Sequence, residues 1–188
     1  MKARMFNRRA AKPESKPDEI LKALGLEEGD RVADIGSGGG YFSFRFAESV
    51  GSQGRVYAVD TQADMSEFVQ GEAKQRGLEN VEPVLVEEDA LDLPERVDLI
   101  FMRNVTHHIE DRVRYFGNLR DSLKPGGRVA IIEYTGGSRF SFRGMFGHFV
   151  PKPRLIGEMK EAGFNIEEDL DFLPEQSFTV YSLKGDSV

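Results

Sequence analysis

Hydrophobic residues along this chain fall into two alternating patterns. Short apolar runs rich in Val and Ile, at residues 31–35, 55–59, 81–86, 97–102 and 128–134, are too brief for helices and carry the residue types that favour strands. Between them lie segments whose apolar positions recur at helical spacing. In residues 111–123, for example, Val113, Phe116, Leu119 and Leu123 form one stripe. Helices are predicted at 17–24, 41–50, 64–76 and 111–123, with another from about 153 to a stop at Gly163. Pro17 in a first turn, and Gly25, Gly51 and Gly77 just past helix ends, set the boundaries. This alternation argues for a parallel sheet covered by helices on both faces. The continuous apolar run 97–102 reads as a strand buried on both sides. Residues 164–172 and 178–183 differ, being strand-like runs with only a short loop between them, which suits an antiparallel hairpin. The predicted architecture is therefore α/β: a doubly wound, Rossmann-like seven-stranded sheet, mostly parallel with an antiparallel C-terminal hairpin strand.

Composition narrows the class. A chain of 188 residues suits one domain that buries a real core without staples. The absence of Cys excludes disulfides, a thiol nucleophile and a thiolate zinc site, and fits a cytoplasmic protein. No stretch has the length and apolarity of a membrane span, and no secretory signal peptide is expected at the start. The net charge of −7 argues against a surface built to neutralise nucleic-acid phosphates. Charge is nonetheless uneven. Up to residue 16, Lys2, Arg4, Arg8, Arg9, Lys12 and Lys16 face only Glu14, so this segment carries +5 and the remainder −12. Residues 1–16 read as a flexible basic tail preceding a single domain at 17–188. A sharper reading makes the tail a lid, or a peripheral contact with anionic lipid or substrate, with Met5 and Phe6 as its apolar element. A transit peptide would be richer in Ser.

Candidate chemistry begins where the first strand runs into glycines, at Val32-Ala33-Asp34-Ile35-Gly36-Ser37-Gly38-Gly39-Gly40-Tyr41. Gly36, Gly38 and Gly40 permit positive φ and a close backbone approach to a ligand, and the helix that follows offers free N–H groups. An ordinary strand-to-helix turn would use the same residue type. Open α/β sheets bind ligands beyond the carboxyl ends of their strands, where strand order reverses. Residues 36–40, Asp60, 88–90 and 103–108 all follow such ends and should line one crevice. Asp60 lies about 24 residues beyond Gly36, close to the ~20-residue offset of a ribose-binding acid. A dinucleotide site would want a third glycine where Tyr41 stands, which weakens a nicotinamide oxidoreductase reading beside that of a mononucleoside cofactor.

Taken together these segments resemble the class I S-adenosylmethionine-dependent methyltransferases over almost the whole chain. Residues 34–40 look like the family's first motif, Asp60 like its ribose acid and Asp89-Ala90 like its adenine segment. Residues 98–101 resemble the fourth motif, and Leu123-Lys124-Pro125-Gly126-Gly127 the turn before strand five. The resemblance implies S-adenosyl-L-methionine as cofactor. It implies that Gly36, Gly38 and the backbone near Arg103 and Asn104 hold its methionine end, that Asp60 binds its ribose, and that Asp34, Gly40 and Thr61 also belong to the cofactor site. Met65, Asp89 and Ala90 would lie at the adenine. Ordinary core packing is an equal reading of Met65. A non-catalytic cofactor-binding module would share all of these residues.

Transfer of a methyl group to a protic nucleophile needs a base, and His107 and His108 follow strand four directly. Both histidines could instead merely orient the loop. The pair lacks the third ligand and spacing of a metal centre, so no metal is expected. His148 stands alone. Residues 101–106, 123–127 and Glu133-Tyr134 resemble the quinone-biosynthesis C-methyltransferases, although the glycine motif matches them less well and the chain is shorter. Residues 136–150 are aromatic, glycine-hinged and basic, and suit a lid over a small apolar or aromatic acceptor. The acidic surface and the residues after strand four disfavour nucleic-acid substrates.

Overall fold

The computed structural model describes residues 2–88, 90–136 and 149–185. Seven strands form one sheet: β1 (Arg31–Ile35), β2 (Arg55–Asp60), β3 (Val81–Leu85), β4 (Val97–Arg103), β5 (Leu123–Tyr134), β6 (Phe164–Leu170) and β7 (Gln176–Leu183). Their order is β3-β2-β1-β4-β5-β7-β6. The first five run parallel, and β7 lies antiparallel between β5 and β6. This is the predicted doubly wound sheet with its closing hairpin. The chain moves outward from β1 to β3 and then returns to β4 on the other side of β1, so strand order reverses between β1 and β4.

Helices α2 (Pro17–Leu24), α3 (Tyr41–Val50), α4 (Ala63–Arg76), α5 (Arg112–Leu119) and α6 (Lys152–Glu161) accompany the sheet. Two apolar clusters occupy its faces. Leu99 and Phe101 of β4 join Phe42, Phe46 and Phe178 on one side; Ile100 and Met102 join Phe116, Leu155 and Phe164 on the other. The alternation along β4 reflects the two-residue period of a strand. Burial on both faces explains its unbroken hydrophobicity.

Three expectations need correction. The helix predicted over 111–123 ends at Leu119 and passes through a 3-10 turn, because Leu123 is taken up by the sheet as the partner of Val97. The presumed turn at 124–127 is absorbed into β5, where the pairing register shifts between Val97 and Leu99. The segment expected as a flexible basic tail contains a helix, α1 (Lys2–Ala10), with Ala3 buried. Ala, Met and Arg are good helix formers, and Arg8 and Arg9 in the last turn complement the helix dipole. Of the lid expected at 136–150, residues 137–148, including His148, lie outside the described residues. Among the described residues, no helix is long and apolar enough to cross a membrane.

Candidate functional site

The reversal point brings two loops into contact. Gly36 has φ 70°, and a Cβ added there would stand 2.8 Å from Val105 Cγ2 on the loop after β4. Space at the neighbouring glycines is likewise taken by protein. A Cβ on Gly40 would meet Phe44 and Val69 at 2.9 Å, and one on Gly39 would collide with the Asn7 amide and the Ala3 carbonyl of α1. The glycine cluster therefore fits a crowded turn as much as the ligand approach expected from the sequence. Helix α1 lies directly on it: Asn7 Nδ2 donates to Gly39 O at 2.7 Å, Phe6 packs against Gly38, and Lys2 Nζ donates to Gln62 Oε1 at 2.6 Å.

Asp60 closes the same loop from β2. Its Oδ2 accepts from Gly38 N at 2.9 Å and its Oδ1 from Gln62 N at 3.0 Å, in a side chain that is almost fully buried. Each oxygen keeps further acceptor capacity, which suits a vicinal diol. Thr61 and Gln62 open onto a depression of about 540 Å³ lined also by Leu85, Val86, Glu87 and Glu88. Met65 is buried at 1% exposure and is closed off from solvent. Ala90 faces a separate polar cleft shared with Arg96 and Arg114. Asp89 lies outside the described residues.

Asp34, at the end of β1, is buried beneath the loop. Ser43 Oγ donates to its Oδ2 at 2.5 Å. Desolvation pushes its carboxyl up to about 7, with the nearby Asp60 charge adding to the shift and Ser43 and Arg103 opposing it. Arg103 ends β4 with its guanidinium 5.0 Å from the Phe42 ring centroid. Burial lowers its pKa from the usual arginine range. Its Nε is buried with no hydrogen-bond partner among the described residues. A cationic donor with no partner among the described residues keeps spare capacity for an anionic acceptor.

The β5–β7 side supplies residues that sequence reasoning missed. Asn104 adopts φ 55°, a left-handed conformation uncommon outside glycine. Gln176, the first residue of β7, holds it: Gln176 Nε2 donates to Asn104 Oδ1 at 2.6 Å, while Arg103 Nη2 donates to Gln176 Oε1 at 3.4 Å. Glu133 is fully buried and accepts from Thr106 Oγ1 at 2.6 Å and from Tyr134 N at 2.9 Å. His107 Nδ1 lies 3.1 Å and 3.2 Å from its two oxygens. His108 is exposed, its ring 4.2 Å from that of His107. A charged residue inside an apolar strand was the available signal for Glu133. Asp98, in the segment resembling the fourth motif, instead serves the opposite end of the sheet, accepting from Arg31 N and Lys124 Nζ at 2.7 Å each.

Comparison with known proteins places this geometry in context. A family model described as a methyltransferase domain matches residues 26–170. A ubiquinone/menaquinone biosynthesis C-methyltransferase of Francisella philomiragia is 29% identical over 119 residues, covering 62% of this chain and 48% of that protein. The aklanonic acid methyltransferase of a Streptomyces species is 37% identical over 106 residues, covering 56% and 48% respectively. The chain thus spans about half the length of these curated relatives. Among solved structures, a SAM-dependent methyltransferase from Aquifex aeolicus superimposes with a TM-score of 0.83 at 25% identity, covering 94% of this chain and 96% of its own.

Proposed function

The chain belongs to the methyltransferase domain family, and from that premise we propose that it transfers the methyl group of S-adenosylmethionine to a small apolar or aromatic molecule. The observation that carries this reading is the carboxylate of Asp60, fixed by Gly38 N and Gln62 N where the glycine loop meets an open depression. Its spare acceptor positions suit ribose hydroxyls. Arg103 Nε, buried and unpartnered among the described residues, supports an anionic group such as a carboxylate at the other end of the crevice. The carboxylate of Asp60 supplies negative charge for a cationic ligand. The residues present fit the cofactor.

When bound, the cofactor supplies a methyl group on a positively charged sulfur. The protein's part is alignment and exclusion of water. Asp60 and the loop at 36–40 fix the nucleoside, and Gln176 holds the Asn104 side chain. Helix α1 covers the glycine loop from outside. The reading includes a small-molecule acceptor rather than nucleic acid, consistent with the net charge of −7, and a cytoplasmic setting, consistent with the lack of Cys.

Isothermal titration tests it. S-adenosylmethionine or S-adenosylhomocysteine is expected to bind the wild-type protein, and Asp60→Ala to abolish most of that affinity. Absence of binding to the wild type would end the proposal. Binding without turnover across a broad acceptor panel would instead favour a non-catalytic module.

A further inference from the structure

Helix α1 has two unlike faces. Ala3, Phe6, Asn7 and Ala10 turn inward, with Ala3 buried, Phe6 and Asn7 on the glycine loop and Ala10 against the core. At about 100° per residue, Arg4, Arg8, Met5 and Arg9 lie on an opposite arc of about 140°. The three arginines are exposed, and Lys12 follows them just past the helix end. Arg4, Arg8, Arg9 and Lys12 make no ion pair among the described residues, whereas Arg45, Arg76 and Arg154 elsewhere on the surface are each paired with a carboxylate. Six basic residues and one acid put +5 on residues 1–16, against −12 on the remainder. Cofactor alignment uses only the inner face. Like charges side by side repel one another, so their concentration on one outward arc favours a negatively charged partner.

We infer that this outer face is a docking surface for an anionic lipid bilayer, and that it seats the crevice on the membrane in which an apolar acceptor dissolves. The second part rests on the methyl-transfer reading above. A helix lying flat on a bilayer needs basic residues for the headgroups and an apolar side chain that can reach the acyl boundary. Met5, between Arg8 and Arg9 on the arc, is that side chain. A single-stranded nucleic acid would want aromatic side chains on which bases stack, and the one aromatic residue of α1, Phe6, faces the glycine loop. The acidic remainder sets the orientation. It is repelled by the same surface, and at about 0.1 M salt its charges fade beyond about 10 Å, so contact is favourable only where α1 points at the lipid. Because the inner face of α1 rests on Gly38 and Gly39, lipid against its outer face lies one helix diameter, about 10 Å, from the cofactor loop.

Flotation of the purified protein with lipid vesicles tests the docking. Vesicles of equal parts phosphatidylglycerol and phosphatidylcholine are expected to carry the protein at about 0.1 M salt and to release it at about 1 M, where the screening length is about 3 Å. Vesicles of phosphatidylcholine alone should not carry it. The variant combining Arg4→Gln, Arg8→Gln and Arg9→Gln should partition about 100-fold more weakly, at about fivefold for each basic residue withdrawn from the surface. Its urea midpoint should match the wild type, since all three side chains are exposed. Arg96→Gln with Arg114→Gln removes two other exposed arginines, which line the separate polar cleft, and should leave vesicle binding as in the wild type. Absence of binding at low salt, equal binding to the two kinds of vesicle, or an equal loss per residue in the Arg96 and Arg114 variant would overturn the inference. So would tighter binding of a single-stranded oligonucleotide than of the anionic vesicles. Flotation needs no cofactor, so failure of the wild type to bind S-adenosylmethionine in calorimetry would overturn the methyl-transfer reading instead, leaving the docking result standing.

Discussion

At the glycine-loop end of the crevice, the shaping contacts are made largely by main chain. Gly38 N and Gln62 N donate to Asp60, and Gly39 O accepts from Asn7. At the β4–β5 end the contacts are between side chains: Gln176 with Asn104, and Thr106 and His107 with Glu133. Main-chain contacts tolerate changes of neighbouring side chains, whereas each side-chain pair is lost with a single substitution. The first end suits a cofactor common to a whole family. The second, apart from the Gln176–Asn104 contact proposed for the cofactor's methionine end, would suit an acceptor that differs from one member to the next.

The contrast is broken most sharply at Asp60. Asp60→Ala removes a charged acceptor from two backbone N–H groups and from the ribose, so cofactor affinity should fall by about 100-fold or more, taking at least ~1.5 kcal/mol for each hydrogen bond to a charged group. Asp60→Asn keeps one acceptor oxygen and should fall between Asp60→Ala and the wild type. Titration calorimetry of the three proteins decides. Equal affinities would show that the loop, not the carboxylate, holds the nucleoside.

A smaller effect is expected where α1 meets the loop. Gly39→Ala places a methyl group into the Asn7 amide and the Ala3 carbonyl, and so should displace α1 while leaving the sheet folded. Stopped-flow release of bound cofactor should speed up about 10-fold if α1 contributes on the order of 1.4 kcal/mol, the cost of one or two lost hydrogen bonds. An unchanged release rate with a displaced helix would make α1 a bystander.

Asp34 provides a pH test at the same end. Its folded pKa of about 7 lies above the ordinary 3.8, so the unfolded chain loses this proton first as pH rises. The associated stability is fully present below about 4 and is lost as pH climbs to about 7, with a slope of at most about 1.4 kcal/mol per pH unit. Urea denaturation of wild type and Asp34→Asn between pH 4 and 8 measures it. The substituted protein should lack that component of the slope.

The smallest effect is expected at Gln176. Gln176→Ala releases Asn104 from its clamp and removes the long contact from Arg103, and loss of about 1 kcal/mol of hydrogen bonding predicts about a fivefold loss of cofactor affinity. A larger loss in turnover than in affinity would move the clamp from the cofactor to the acceptor.

The same division explains what could be read from the chain. The sheet was legible because each strand carries its own local pattern, and the loop at 36–40 with Asp60 because glycine and acid stand at recognisable distances from strand ends. Gln176 was not, since its role depends on the antiparallel pairing that sets it opposite Tyr134. Glu133 sat in plain view within an apolar strand, but its link to His107 comes from the β4–β5 neighbourhood. Helix α1 was hidden by its charge. Its exposed arginines suggest a solvated tail, whereas Ala3, Phe6 and Asn7 meet the loop.

The central claim is methyl transfer to a small molecule, and a labelled-methyl assay tests it most directly. Wild-type protein and Asp60→Ala would each be incubated with methyl-tritiated S-adenosylmethionine and an extract of the source organism. The account predicts label in a small, solvent-extractable product with the wild type and little with Asp60→Ala. Label confined to macromolecules, or equal labelling by the two proteins, would contradict it.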